Sequence, residues 1–358
     1  MAASALSLAA LLLDWYAQHA RVLPWRAPPG GPLADAYRVW LSEVMLQQTT
    51  VAAVKPYFAR FTARWPTVAA LAGADDAEVM AAWAGLGYYA RARNLLACAR
   101  FVAAGGGEFP RNEAQLRKLP GLGAYTAAAV AAIAFGEAAC VVDANVERVV
   151  ARLFAIGEPL PAARRDIARR ARELTPEHRA GDFAQAMMDL GATLCTPRNP
   201  RCPLCPLAAQ CAAFGEGSPE RYPVKPAKAA KPLRHGTAWW IERESAVWLV
   251  RRPARGMLGG MRALPSDSWS ARGDGDCAPP LGGPWRAGGL VHHSFTHFSL
   301  DLALRLYSGD DWASLGSKAG EWWPRDRMDE AGLPTLFAKA ARLALMSETG
   351  DQDAGTSS

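Results

Sequence analysis

A mostly helical N-terminal body followed by a smaller α+β domain is the fold class that the sequence predicts, and three observations predict it. Residues 1–217 hold alanine-rich stretches with apolar residues at helical spacing, short Gly/Pro turns and few β-branched runs. Residues 218–233 are basic and proline-rich without a periodic apolar face, which predicts an extended linker. Residues 234–345 contain alternating apolar and polar residues typical of strands, and residues 346–358 have almost no apolar content and are expected to be disordered.

Composition is compatible with two hydrophobic cores and a polyanionic partner. The chain has 358 residues, 50% of them hydrophobic, with a formal net charge of +6 and a pI near 9.0. Charge alone does not identify nucleic acid. The apolar run Ala5–Leu13 follows no basic region and is ended by Asp14, well short of a membrane span. We therefore expect an amphipathic helix there and a cytoplasmic protein without membrane contact.

Four of the seven cysteines predict a metal centre. Cys195, Cys202, Cys205 and Cys211 are spaced C-x6-C-x2-C-x5-C, which is too dense to be explained by core packing. Structural zinc also accepts four thiolates, usually from two C-x2-C pairs, whereas this segment has one such pair with unequal flanking gaps. The spacing favours a [4Fe–4S] cluster over zinc.

A glycine-bounded segment, LPGLGAYTAAAVAAIAFG, predicts a tight turn that opens an alanine-rich helix. Gly121 and Gly123 lie in the turn, and Gly136 is expected to end the helix. The unpaired backbone N–H groups at such a helix start suit a DNA phosphate. A plain connection between two helices of a bundle would show the same pattern.

Two carboxylates stand in apolar surroundings. Asp143 follows three apolar residues, and Glu43 lies in WLSEVMLQQTTV among apolar residues that would form one face of a helix. A carboxylate beside a core segment is costly unless it is paired or functional. Glu43 could equally cap or solvate a helix start, and the spacing does not show whether the two carboxylates meet.

The C-terminal part predicts strands around a long loop. AWWIE and AVWLVRR are expected to form strands joined by a short turn, and LVHHSFTHFSLDLALRLY is expected to form a further strand pair. Between them, residues 266–284 are rich in Gly, Pro, Ser and Asp and predict a loop.

Taken together, these segments resemble the helix-hairpin-helix DNA glycosylases and, within them, the MutY-type adenine glycosylases. The resemblance extends from about Leu23 to Cys211, over half of the chain. The matching segments are LPWR at 23–26, SEVMLQQT at 42–49, GLGYYARARNL at 85–95, LPGLGAYTA at 119–127, VDANVERV at 142–149 and the cysteine segment.

The resemblance implies roles for four catalytic residues. Glu43 corresponds to the general acid at adenine N7, and Asp143 to the residue that stabilises the sugar cation, which agrees with the needs of an adenine leaving group. Asn145 would orient the carboxylates. Tyr125 stands where bifunctional, endonuclease III-like relatives have a Schiff-base lysine, and a phenol cannot form that imine, so a monofunctional enzyme is expected.

Further residues are implied to contact the substrate. Trp25, Leu46 and Gln185 would line the pocket for the extruded adenine, and Gln48 and Tyr88 would enter the base stack. The VDANVERV motif departs from the family at Ala144, where glycine is usual. If that position needed a positive φ angle, alanine would strain the segment that carries Asp143.

The C-terminal domain resembles the MutT-like, Nudix-type domain of the same family more faintly. Its best marker is HSFTH at 293–297, which corresponds to the loop that recognises 8-oxoguanine: Phe295 would act as a wedge, and Thr296 and His297 as donors and acceptors. A glutamate-rich Nudix signature is missing from the sequence, so nucleotide hydrolysis is not expected there.

The expected function is base-excision repair: hydrolysis of the N-glycosidic bond of adenine opposite 8-oxoguanine or guanine in double-stranded DNA, by a nucleoid-associated monomer. Two alternatives stay open at this point. One is a thymine or uracil glycosylase on the same scaffold, and the other is a non-catalytic iron–sulfur DNA-binding protein.

Overall fold

Two compact units make up the chain. The computed structural model describes residues 5–226, 230–253, 256–312, 315 and 319–353. The first unit comprises residues up to Leu86 together with Arg91–Lys228, and the second comprises Gly87–Ala90 together with the residues from Ala229 onward. The division therefore falls inside the segment that was expected to be a linker.

Helices and loops form the first unit throughout its described residues, as predicted. The helices are α1 (Ala5–His19), α2 (Ala36–Leu46), α3 (Val51–Arg64), α4 (Val68–Ala72), α5 (Asp76–Trp83), α6 (Ala90–Ala104), α7 (Glu113–Leu116), α8 (Ala124–Phe135), α9 (Ala144–Leu153), α10 (Arg164–Leu174), α11 (Ala180–Thr193) and α12 (Ala212–Gly215). Several begin at a side chain that accepts a backbone N–H bond, such as Asp35 before α2 and Thr50 before α3.

The alanine-rich helix α8 lies at the centre of this unit. Every residue from Thr126 to Ala134 is buried, and α8 packs against α2, α7 and α11. Small side chains let these helices come close: a Cβ on Gly181 of α11 would lie 2.5 Å from the carbonyl oxygen of Ala132. The predicted end of the helix is confirmed, because Gly136 caps it in the left-handed conformation.

The beginning of the predicted linker is not extended. Pro219–Arg221 form a 3-10 turn, and Tyr222 is buried against the helical unit, where its carbonyl accepts a bond from Arg152 Nε at 3.1 Å. The N–H of Leu160 bonds the carbonyl of Val224 at 2.9 Å. The chain therefore stays packed on the helices after residue 217, and residues 227–229 lie outside the described residues.

The second unit has the predicted strands. They are β1 (Leu233–Trp240), β2 (Glu242–Arg243), β3 (Ala246–Arg251), β4 (Arg262–Ala263), β5 (Trp285–Ser294), β6 (Ser299–Tyr307) and β7 (Glu321–Pro324), and helix α13 (Thr335–Asp353) follows them. One sheet has the order β1-β6-β5, with β1 parallel to β6 and β5 antiparallel to it, as expected for the strand pair around HSFTH. In the other sheet β3 pairs with β2, β4 and β7.

Helix α13 closes the core of this unit and extends beyond residue 346. It packs mainly on β5, and buried Phe337, Ala340, Ala341 and Ala344 join the core. The helix continues to Asp353, past residue 346, from which disorder was expected. Residues 354–358 lie outside the described residues.

Candidate active site

A pocket of about 1080 Å³ in the helical unit collects most of the predicted site residues. Those that line it are Trp25, Glu43, Leu46, Gln48, Gly121, Gly123, Tyr125, Asp143, Asn145 and Gln185. They come from segments more than a hundred residues apart in sequence, which α2, α8, α9 and α11 bring to one place. Tyr88 belongs to the second unit and is 54% exposed.

Glu43 and Tyr125 are bonded to each other in this pocket. The hydroxyl of Tyr125 donates to Glu43 Oε2 at 2.6 Å, and the Glu43 side chain is buried on α2. Burial raises the pKa of Glu43, while the Tyr125 bond and the charge of Arg26 lower it and the charge of Asp143 raises it again. The net shift is upward, which favours a protonated carboxylic acid.

The Tyr125 phenol stays protonated for the same physical reason. Burial raises the pKa of Tyr125 well above its usual value, and the charges of Asp143 and of Glu43 in its ionised form raise it further. Its hydroxyl is therefore a hydrogen-bond donor and not a phenolate nucleophile.

Asp143 is held as the N-cap of α9. Its Oδ1 accepts the Val146 N–H at 2.7 Å, and its Oδ2 accepts Asn145 Nδ2 at 2.9 Å. The Asn145 amide is fixed in turn, since its Oδ1 accepts Arg148 Nη2 at 2.9 Å. Asn145 therefore contacts one of the two carboxylates that the family resemblance expected it to orient.

The backbone around Ala144 is not strained. Ala144 is the first residue of α9, and it is not among the non-glycine residues with positive φ. Glycine is thus not required at this position, and the departure from the family motif does not disturb Asp143.

Arg148 and Arg152 connect α9 to the cysteine segment, and sequence reasoning missed both. Arg148 donates to the carbonyl oxygens of Cys195 at 2.8 Å and Gly191 at 2.7 Å. Arg152, 2% exposed, donates to the carbonyl of Thr196 at 2.7 Å and to Cys195 Sγ at 3.4 Å. Their i, i+4 spacing in an amphipathic helix resembles that of ordinary surface arginines, so only the fold shows that they point inward.

The four cysteine thiols are free and partly exposed. Within the described residues, no group of three or more His, Cys, Asp or Glu side chains is arranged to hold a single metal ion. The donor set nevertheless fits a thiolate-bound cluster, because one short segment supplies four thiols. Burial, and then the charges of Cys195, Cys211 and Cys202, raise the pKa of Cys205 to about 12, so the thiol form is favoured while no cation is bound. Four thiolates here would need a positive centre to offset their repulsion.

The glycine turn before α8 has the predicted geometry. Gly121 has φ +75°, and a Cβ on it would lie 2.6 Å from Cβ of Asn94, so only glycine fits. Gly123 is the N-cap of α8, and a Cβ there would meet nothing within 4 Å. The turn therefore presents the backbone N–H groups of a helix start at the edge of the pocket.

Two buried polar side chains of α11 are close to this pocket: Gln185 lines it, and Asp189 pairs with two arginines that line it. Gln185 is buried and donates from Nε2 to the Gly181 carbonyl at 3.3 Å, whereas its Oε1 has no hydrogen-bond partner among the described residues. Asp189, fully buried on α11, pairs with Arg26 at 2.8 Å and Arg21 at 2.7 Å. Sequence reasoning did not single out Asp189, although an aspartate on the apolar face of a helix was a usable signal.

Both residues expected to enter the base stack have left-handed backbones. Gln48, just beyond the end of α2, has φ +61°, and Tyr88 has φ +49°. Non-glycine residues adopt this region rarely and often at functional sites, so the geometry agrees with a special role for each.

The HSFTH turn, residues 293–297, joins β5 to β6 in the second unit. Thr296 and His297 are exposed. Phe295 is partly buried and stacks on Phe298 with ring centroids 4.7 Å apart. The wedge role expected for Phe295 stays a prediction.

Known proteins resemble both units. A family model described as HhH-GPD superfamily base excision DNA repair protein matches residues 41–177, and a NUDIX domain model matches residues 237–343. An adenine DNA glycosylase of Homo sapiens is 33% identical over 399 residues, covering 93% of this chain and 73% of that protein. The chain belongs to the adenine DNA glycosylase family. Its helical unit is thus the base-excision body, and its second unit is of Nudix type.

Two other similar proteins match different shares of the chain. An adenine DNA glycosylase of Arabidopsis thaliana is 42% identical over 296 residues, and the chain spans 46% of that protein's length. A solved structure of a thermostable thymine-DNA glycosylase is 30% identical with a TM-score of 0.53, covering 59% of this chain and 97% of that one. Within the described residues, no helix is long and apolar enough to cross a membrane.

Proposed function

We propose that this protein hydrolyses the N-glycosidic bond of adenine paired with 8-oxoguanine or guanine in double-stranded DNA, and that it does so as a monofunctional enzyme. The observation that carries the proposal is the bonded pair of Glu43 and Tyr125 in the same pocket as Asp143. A raised Glu43 pKa is what a general acid needs to remain protonated near neutral pH.

The chemistry follows from these residues. Glu43 gives its proton to adenine N7, so the electron pair of the breaking C1′–N9 bond leaves on a neutral base. The sugar becomes oxocarbenium-like, and the negative charge of Asp143, fixed by Val146 and Asn145, stabilises it. Water then adds at C1′ and releases one proton, which balances the proton that Glu43 supplied. An abasic site and free adenine result.

Selection of adenine is supported by groups beside the acid. The unpartnered Oε1 of Gln185 is a hydrogen-bond acceptor in the pocket wall and suits the exocyclic amine of adenine. Thymine has a carbonyl oxygen, O4, where adenine has this amine, and that oxygen would face the Gln185 acceptor unfavourably. The pocket therefore favours adenine over thymine.

The DNA would be held by the glycine turn and by the cysteine segment. The backbone N–H groups at the start of α8 suit a phosphate, and Arg198 and Arg201 lie within the cysteine segment. Gln48 and Tyr88 would fill the space that the extruded adenine leaves. We expect one chain to act on one mispair, in the cytoplasm at the nucleoid.

Single-turnover release of free base tests the proposal. Duplexes with adenine opposite 8-oxoguanine, adenine opposite guanine, adenine opposite thymine and thymine opposite guanine are compared. The expected result is adenine release from the first two and an abasic product that needs separate alkali to break. Thymine release from the fourth duplex, or no base release from any, would contradict the proposal.

We also propose that Cys195, Cys202, Cys205 and Cys211 hold one [4Fe–4S] cluster, which would fix the cysteine segment on α9 through Arg148 and Arg152. Protein made with ample iron and without oxygen should contain about four irons per chain and absorb as an iron–sulfur protein. Stoichiometric zinc in that preparation would contradict the cluster, and Cys277→Ser, outside the segment, is the control that should keep the iron.

A further inference from the structure

A buried tryptophan lies beneath the HSFTH turn. Trp269 belongs to the irregular segment between β4 and β5 and is 2% exposed. Its ring centroid is 5.9 Å from that of Phe295, with the planes tilted by 31°. The aromatic contact therefore joins a long loop to the base of the turn that carries Thr296 and His297.

Phe295 transmits this contact to the whole turn. Its ring stacks on Phe298 at 4.7 Å and meets the edge of His293 at 4.6 Å. Its N–H bonds the Phe298 carbonyl at 2.8 Å, which closes the turn at its base. Any shift of the Phe295 ring would therefore move the backbone from which the exposed Thr296 and His297 side chains project.

Trp269 is itself held by further neighbours. The Arg252 guanidinium lies 4.9 Å from its ring centroid and donates to Ser266 Oγ at 2.9 Å. A Cβ on Gly236 of β1 would come within 2.6 Å of Trp269 Cδ1, so the indole fills all the available space. The indole N–H has no hydrogen-bond partner among the described residues, which leaves packing as the role of this side chain.

We propose that Trp269 is a positioning residue for discrimination of the base opposite adenine: through Phe295, it sets the place of Thr296 and His297 without contacting DNA itself. The inference rests on the proposed function, since it assumes that the HSFTH turn reads 8-oxoguanine. A precise turn is needed because 8-oxoguanine differs from guanine only by an oxygen at C8 and a hydrogen at N7.

Two substitutions in the full chain test this role by different routes. Trp269→Leu removes the ring, and Gly236→Ala displaces it without removing it. Each should reduce the ratio of single-turnover rates for adenine opposite 8-oxoguanine and opposite guanine by about three- to tenfold, the range expected for loss of one aromatic pair. The rate opposite guanine should change little. Trp269→Phe retains a ring and should restore most of the ratio.

Trp248→Leu is the matched control. Trp248 is 6% exposed in the same unit, but it lies in a separate apolar cluster and pairs with Trp322 at 5.1 Å. An unchanged ratio in both Trp269→Leu and Gly236→Ala would overturn the positioning role. An equal loss of ratio in Trp248→Leu would overturn it too, because general destabilisation of the unit would then be the cause. A parent protein that releases adenine equally well opposite 8-oxoguanine and opposite guanine would overturn this inference and leave the proposed glycosylase activity standing, whereas a parent that releases no adenine would contradict the proposed function.

Discussion

The pocket of the helical unit and the HSFTH turn of the second unit are held in place by different forces. In the pocket, the carboxylates of Glu43 and Asp143 accept directional hydrogen bonds from Tyr125, Asn145 and Val146. At the turn, Thr296 and His297 are exposed, and their support is aromatic packing beneath them. Directional bonds fix protonation states as well as positions, whereas packing fixes position alone.

This difference corresponds to two tasks. Proton donation to a base requires a buried acid with a shifted pKa, so that the acid cannot be exposed to solvent. Reading an opposite base in DNA requires exposed donors and acceptors that reach outward. Substitutions in the pocket should therefore change the rate of adenine release from every mispair by the same factor. Substitutions at the turn should change the ratio of the rates measured for different mispairs.

The largest effect is expected for Glu43→Gln. The amide keeps the shape of the side chain but cannot deliver a proton, so single-turnover adenine release should fall by about 10²–10⁴-fold on every mispair, while duplex binding persists. Glu78→Gln, which alters an exposed ion pair with Arg64, is the control and should leave the rate unchanged. Substantial turnover by the Glu43 variant would remove the acid assignment.

The next effect is expected for Gly191→Ala. A Cβ there would lie 2.6 Å from Cβ of Asn145, so the amide that holds Asp143 must move. A displacement of this kind can reduce the rate by about 10²-fold, with the preference between mispairs retained. Gly215→Ala, where a Cβ would meet nothing within 4 Å, is the matched control. If both variants turned over at the same rate, the role of Asn145 would be disproved.

A smaller and selective effect is expected for Thr296→Val. The substitution removes an exposed hydroxyl and keeps the shape of the side chain. The ratio of the rate opposite 8-oxoguanine to the rate opposite guanine should therefore fall about tenfold. The rate opposite guanine, measured in the same preparation, is the internal control. A fall of both rates by the same factor would show that the turn does not read the lesion.

The smallest effect is a shift in pH dependence for Tyr125→Phe. The rate requires protonated Glu43, so it falls as the pH rises through the pKa of that acid. Because the Tyr125 bond stabilises the carboxylate, it lowers this pKa, and its loss should move the fall in rate to higher pH. Single-turnover pH profiles measure the shift. Tyr16→Phe is the control, since the buried Tyr16 hydroxyl has no hydrogen-bond partner among the described residues. A fall at unchanged or lower pH would contradict the pairing.

Local motifs predicted the helical unit and most of the pocket. The Gly121 turn and the helix that Gly136 ends follow from residue types in short segments, whereas only the family resemblance implied that Glu43 and Asp143 belong to one site. The residues that sequence reasoning missed depend on the tertiary fold. Arg148 points inward, although it lies on a helix whose charged residues have the spacing of surface residues. Asp189 pairs with arginines that are far away in the sequence. The ring contact of Phe295 with Trp269 likewise depends on the tertiary fold, because Trp269 belongs to a loop that carries no periodic pattern.

The central claim is that the pocket carries out the chemistry and the HSFTH turn reads the lesion. Measuring two variants on two mispairs tests this claim most directly. Single-turnover adenine release is measured for the parent, Glu43→Gln and Thr296→Val, each opposite 8-oxoguanine and opposite guanine. We predict that Glu43→Gln lowers both rates by the same large factor, and that Thr296→Val lowers only the rate opposite 8-oxoguanine. A Glu43→Gln variant that keeps its rate, or a Thr296→Val variant that loses both rates equally, would contradict this account.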